Sequence, residues 1–154
     1  MTALLVSIDR LERYDPRRFR HEINGTNATQ FFKGALVGIL GATGLLKKAA
    51  AADAALQVVG VCEDEILTVN ATTKIGARSG IFLFANGDTI VSTDRGKVAF
   101  VGDDNTVFKA NGGADPVAGV IYDVEAAGVW VAVGFPGFTP AIAGVAAGSQ
   151  FSGT

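Results

Sequence analysis

The amino-acid sequence predicts a mainly β protein, a compact β-sandwich or small β-barrel with an extended arm at one end and an extended tail at the other. Two observations carry this reading. Arg95 to Phe135 divides into four short apolar runs separated by turn-rich loops, with no room for a helix of more than a turn or two. In the last run Val129, Val131, Val133 and Phe135 alternate with Trp130, Ala132 and Gly134, the two-residue period of a strand. At 154 residues the chain suits one domain with a substantial apolar core.

Three regions follow in order: an N-terminal arm (1–33), a β-rich body (34–135) and a C-terminal tail (136–154). In the arm, Asp15 through Gly25 carries the marks of a short helix. Asp15 suits a cap, Pro16 the first helical position and Gly25 the position just past the end. Phe19 and Ile23 would share one face, with arginines around them. So short a helix needs a surface to lie on, either its own body or a neighbouring subunit.

In the body, Ala35–Leu40 reads as a strand and Gly41–Gly44 as a turn. Leu45–Leu56 is rich in alanine, which loses no side-chain entropy in a helix, yet it is barely amphipathic and lies among strands. A short helix and an irregular connection both remain open there. Gln57–Cys62 reads as a strand, followed by the acidic trio Glu63-Asp64-Glu65 and by short β candidates at Ile66–Val69 and Thr72–Ile75. Gly80–Ala85 is a strongly apolar strand closed by Asn86-Gly87, the preferred pair for a tight primed turn, with Asp88–Ser92 returning. Lys97–Val101 and Thr106–Ala110 flank Gly102-Asp103-Asp104-Asn105, a hairpin turn by composition. The last hairpin joins Val117–Val124 to Val129–Phe135 through Glu125-Ala126-Ala127-Gly128.

The body also contains an internal echo. Gly34-Ala35-Leu36-Val37, followed by Gln57 to Asp64, resembles Gly96-Lys97-Val98-Ala99, followed by Asp115 to Asp123. In each, a strand leads through a loop to an apolar strand with Gly-Val near its middle and an acid at its end. Two related β-modules packed together would produce this pattern. The tail holds two prolines and several glycines, but also Phe138, Ile142, Val145 and Phe151. Solvated disordered tails avoid such residues, so an extended segment laid on a neighbour is the favoured reading.

Only 18% of residues are charged against 49% hydrophobic, which suggests that another chain covers part of the surface. A net charge of -2 argues against a general nucleic-acid binder. Residues 1–33 hold six basic residues against four acids and the remainder seven against eleven, a mildly basic arm on an acidic body. No apolar run reaches the length of a membrane span, and no secretory signal is visible, so the expected site of synthesis is a cytoplasm.

Candidates for chemistry are few. The lone histidine, His21, and the lone cysteine, Cys62 in an apolar run, are too far apart in sequence to suggest a zinc site. Neither acidic cluster has the alternating spacing of a calcium loop. Gly38 to Gly44 lacks the Lys-Ser/Thr of a phosphate loop, and no serine sits in a nucleophile elbow. Neither an enzyme nor a cofactor is expected. Trp130 and Tyr122 stand on adjacent strands whose two faces both look covered, by a second sheet or by a partner subunit.

From Gly34 to Gly134 the chain resembles the capsid cement (decoration) proteins of tailed bacteriophages. The resemblance rests on GVCEDE at Gly60–Glu65, on GIFLF, on GKVAFVGDDNTVFK, and most clearly on PVAGVIYDVEAAGVWVAV. It implies a compact β-rich body that self-associates, as a homotrimer by preference or a dimer. It further implies binding to the outer surface of the virion's shell of major capsid protein, bridging neighbouring subunits against the pressure of packaged DNA. The arm and the tail, absent from the simplest members, are then the expected contact segments. Arg13, Tyr14, Arg17, Arg18, Phe19, Arg20, Ile23, Trp130, Phe138, Ile142 and Phe151 are the expected capsid or intersubunit contacts. The alternative is a carbohydrate-binding or adhesin module, with Trp130 and Tyr122 as its aromatic platform.

Overall fold

The structure, a computed structural model, describes residues 3–8, 10 and 20–134, together with the backbone of 12–13. It is mainly β. The first half contains β1 (Glu12–Arg13), β2 (Arg20–Asn24), β3 (Gln30–Phe31), β4 (Leu36–Leu40), β5 (Leu45–Lys48), β6 (Leu56–Cys62), β7 (Ile66–Leu67) and β8 (Lys74–Arg78). The second half contains β9 (Gly80–Asn86), a 3₁₀ turn at Ser92–Asp94, β10 (Val98–Val101), β11 (Thr106–Phe108), β12 (Val117–Glu125) and β13 (Gly128–Val133).

The second half closes into a small barrel in the order β9-β11-β10-β12-β13, with β13 returning antiparallel to β9. The one parallel contact joins β9 to β11. Strand β1 pairs with Ile81 and Phe82 of β9, outside the ring. The first half repeats this plan in the order β2-β8-β6-β4-β5, its ends joined by a parallel bridge between Gly25 and Leu46. A short ribbon of β3 and β7 lies beside it.

The repetition holds residue by residue. In the first barrel Leu36 pairs with Val61 and Val37 with Gly60, before a bulge brings Gly38 opposite Val58. In the second, Val98 pairs with Val120 and Ala99 with Gly119, before a bulge brings Phe100 opposite Val117. The backbone bonds leading into each pair also correspond. Gly34 and Cys62 donate to Cys62 and Ala35, as Gly96 and Ile121 donate to Ile121 and Lys97. Gly34 and Gly96 both adopt positive φ, 90° and 84°. The echo in the sequence is therefore a repeated strand plan.

Two apolar clusters fill the molecule. One lies within the first barrel and includes Phe31, Val37, Leu46, Cys62, Ile75 and Ala77, with Leu4 from the N-terminal segment. The other fills the second barrel around Phe82, Phe84, Val107, Ile121, Val129 and Val131, and continues onto Leu36, Leu56 and Val61 of the first. Strand β6 is covered on both sides, with Val59 and Cys62 in one cluster and Val58 and Val61 in the other. This explains its near-continuous apolar sequence.

Three expectations are corrected. Arg20–Asn24, placed in a helix on the strength of its cap-like flanks, is a strand that pairs along its whole length with β8. Pairing with a distant strand outweighs the local helix signals; residues 14–19 of that stretch lie outside the described residues. Asn86-Gly87 does not turn the chain into a return strand. The Asn86 side chain accepts from the Ile90 N–H (2.9 Å) and donates to the Ile90 carbonyl (2.8 Å), holding a loop while β9 pairs with β1, β11 and β13. Leu45–Leu56 is neither helix nor wholly irregular, since Leu45–Lys48 forms a hairpin with β4. Residues 20–31, inside the segment read as an arm, supply β2 and β3 and the fully buried Phe31. The tail from 136 lies outside the described residues.

Candidate functional surfaces

The N-terminal segment runs across the junction of the two barrels. Leu4 is buried, and its N–H donates to Asp104 Oδ1 (2.9 Å) in the turn between β10 and β11. Ile8 N–H donates to the Lys33 carbonyl (2.9 Å), while Ser7 Oγ accepts from Lys33 N–H (3.1 Å). Arg10 then bonds both barrels at once. Its Nε donates to the Gly34 carbonyl, Nη1 to the Leu83 carbonyl (2.6 Å) and Nη2 to Asn105 Oδ1 (2.8 Å). The guanidinium also stacks 4.4 Å from the centre of the Phe84 ring. Burial lowers its pKa to about 10, an effect opposed by Asp104 and Asp103, so it stays charged at neutral pH.

Beside Arg10 opens a cleft of about 450 Å³, lined by Lys33, Gly34, Val61, Cys62, Glu63 and Arg78 as well. Its polar groups hold one another. Glu63 bonds Arg20 and lies 3.6 Å from Arg78, whose guanidinium sits over Phe82. Asp64 Oδ2 accepts the Gly76 N–H (2.6 Å). The Cys62 thiol points to the Asp64 carbonyl (3.2 Å), and burial pushes its pKa up to about 12, which leaves it un-ionised and a poor nucleophile. The second acidic cluster is likewise structural: Asp103 Oδ1 accepts the Asn105 N–H (2.8 Å), and Asp104 takes Leu4. Among the described residues, no three His, Cys, Asp or Glu side chains are grouped to hold a metal ion.

The expected contact residues whose side chains are described, Arg20, Ile23 and Trp130, do not gather into one place. Arg13 lies in β1, its backbone paired with Ile81. Arg20 is exposed on β2 and bonded to Glu22 and Glu63. Ile23 turns inward against the first-barrel cluster. Trp130 is only 7% exposed, whereas Tyr122 is 51% exposed, so the two do not form an open aromatic platform. Tyr14, Arg17, Arg18, Phe19, Phe138, Ile142 and Phe151 lie outside the described residues. The sequence reading missed Leu4, Arg10 and Asp104, because their partners are distant in the chain and no local pattern announces them. Exposed apolar side chains stand at Leu5 and Val6 of the N-terminal segment, at Leu67 and Val69 on and just after the ribbon strand β7, and at Val91. Comparison with protein-family models, with curated proteins and with solved structures finds no match to this chain.

Proposed function

We propose that this chain is a structural protein of a tailed-phage head. In this reading it binds the outer capsid surface as a homo-oligomer, a trimer by preference. It bridges neighbouring major capsid protein subunits and so stabilises the mature shell against internal DNA pressure. The observation that carries the reading is how the polar side chains are used. Arg10 and Asp104 bond elements of both barrels, Glu63, Asp64 and Cys62 are bonded within the first barrel, and Leu5, Val6, Leu67 and Val69 are exposed. A rigid body with exposed apolar side chains suits adhesion to another protein. The segments that carry the resemblance to cement proteins fall on β6 of the first barrel and on β9, the β10–β11 hairpin and the β12–β13 hairpin of the second. Many small contacts repeated by shell symmetry would give large avidity.

The glycan-binding alternative loses its platform with Trp130 buried. Cosedimentation with capsids of the encoding phage tests the proposal. Saturable binding to immature or expanded shells supports it, and failure to bind either overturns it.

A further inference from the structure

Asp104 is the most deeply buried carboxylate among the described residues, 2% exposed at the meeting point of three elements. Its own turn joins β10 to β11. Its carbonyl accepts the Leu36 N–H (2.8 Å) of β4, and its Oδ1 accepts the Leu4 N–H of the N-terminal segment. Its Oδ2 is buried and has no hydrogen-bond partner among the described residues. An ionised carboxylate needs both oxygens solvated or bonded, so one taken out of water with a single donor is held at a cost. A neutral carboxyl in the same place carries its proton on Oδ2 and still offers Oδ1 to Leu4.

We propose that Asp104 is a proton-sensitive latch for the N-terminal segment: proton uptake at Oδ2 tightens the docking of residues 4–8 and Arg10 across the two barrels, and proton loss loosens it. Among the described residues, the charged groups that act on this carboxylate are Arg10 from the segment, Lys48 from the end of β5 and Asp103 from its own turn. The Leu4 N–H and the two cations favour the charged form, and Asp103 opposes it. Burial is the largest influence and wins, so the carboxyl titrates above its ordinary range. When the segment lifts, Leu4 leaves and water reaches the carboxylate, which then returns toward ordinary titration. Docking therefore binds a proton. It is weakest above the docked-state pKa and strengthens as pH falls through it, by tenfold for each unit separating the two states.

Amide hydrogen exchange on the intact chain tests this, with protection factors corrected for the intrinsic pH dependence of exchange. Leu4 and Ile8 report the segment. As pH falls from 7.5 to 4.5 their protection is expected to rise. In Asp104→Asn, which keeps the Oδ1 acceptor without a charge, that rise is expected to vanish and protection to stay high throughout. Asp103→Asn is expected to retain the rise. Flat or falling protection of Leu4 and Ile8 in the wild type, or a rise that survives in Asp104→Asn, overturns the latch. Should Asp104→Asn not fold, the carboxyl ¹³C titration of wild-type Asp104 is compared with the exchange of Leu4: Leu4 protection that rises through the Asp104 midpoint upholds the proposal, and protection that does not follow it overturns it.

Discussion

Gly60 of β6 and Gly119 of β12 occupy the same position in the two barrels. Each sits just before the residue, Val61 or Val120, that pairs with the neighbouring strand at Arg78 or Ala132. Each also faces the carbonyl of that neighbour so closely that a Cβ would lie 2.5 Å from the Arg78 oxygen or 2.0 Å from the Ala132 oxygen. The Gly-Val seen twice in the sequence marks one packing requirement met twice.

Alanine at either glycine forces the paired strands apart. Gly60→Ala and Gly119→Ala are each expected to destabilise the fold by about 2 kcal/mol or more. Gly41→Ala, where the nearest atom lies 3.9 Å from a new Cβ, is expected to be close to neutral. Urea unfolding midpoints of the three variants check this ordering.

Arg10 holds Gly34 in one barrel and Leu83 and Asn105 in the other. Arg10→Met leaves those acceptors without their donor and is expected to cost about 2–4 kcal/mol. Arg10→Lys is expected to recover only part of this, because a single ammonium cannot reproduce the guanidinium fork. Thermal unfolding of both variants gives the comparison.

Cys62 is expected to resist alkylation at neutral pH in the folded protein and to react once denaturant unfolds it, since burial both hides the thiol and raises its pKa. Rapid labelling under native conditions contradicts this placement.

Asp94 behaves oppositely to Asp104. Its carboxylate accepts the Val91 N–H (3.0 Å) and the Lys97 ammonium (2.9 Å), and these bonds, the Val91 one foremost, hold its pKa below the usual value. Its contribution to stability is therefore fully present above the unfolded-state pKa and lost as pH falls through the depressed folded-state value. Asp94→Asn is expected to lower stability at pH 7, with the difference shrinking below about pH 4. Unfolding midpoints measured across pH show whether the two curves converge.

How much of this was legible in the sequence depended on the range of the interaction. The hairpins at β10–β11 and β12–β13 were readable because their turns and their alternation are local. Arg20–Asn24 was misread because its partner, β8, lies some fifty residues away while Pro16 and Gly25 imitate helix ends. Asn86 announced a turn correctly but not its kind, since its side chain closes a loop on Ile90. The Gly-Val echo was visible, although only the pairing register reveals that it repeats a whole barrel plan. Arg10 and Asp104 stand in ordinary-looking polar surroundings, and their roles appear only once the two barrels meet.

Cryo-electron microscopy of shells decorated with the protein tests the central claim most directly. The account predicts density for this two-barrel body on the outer surface, with each oligomer touching at least two major capsid protein subunits. Density confined to the interior, contact with a single subunit, or bare shells at saturating protein would contradict it.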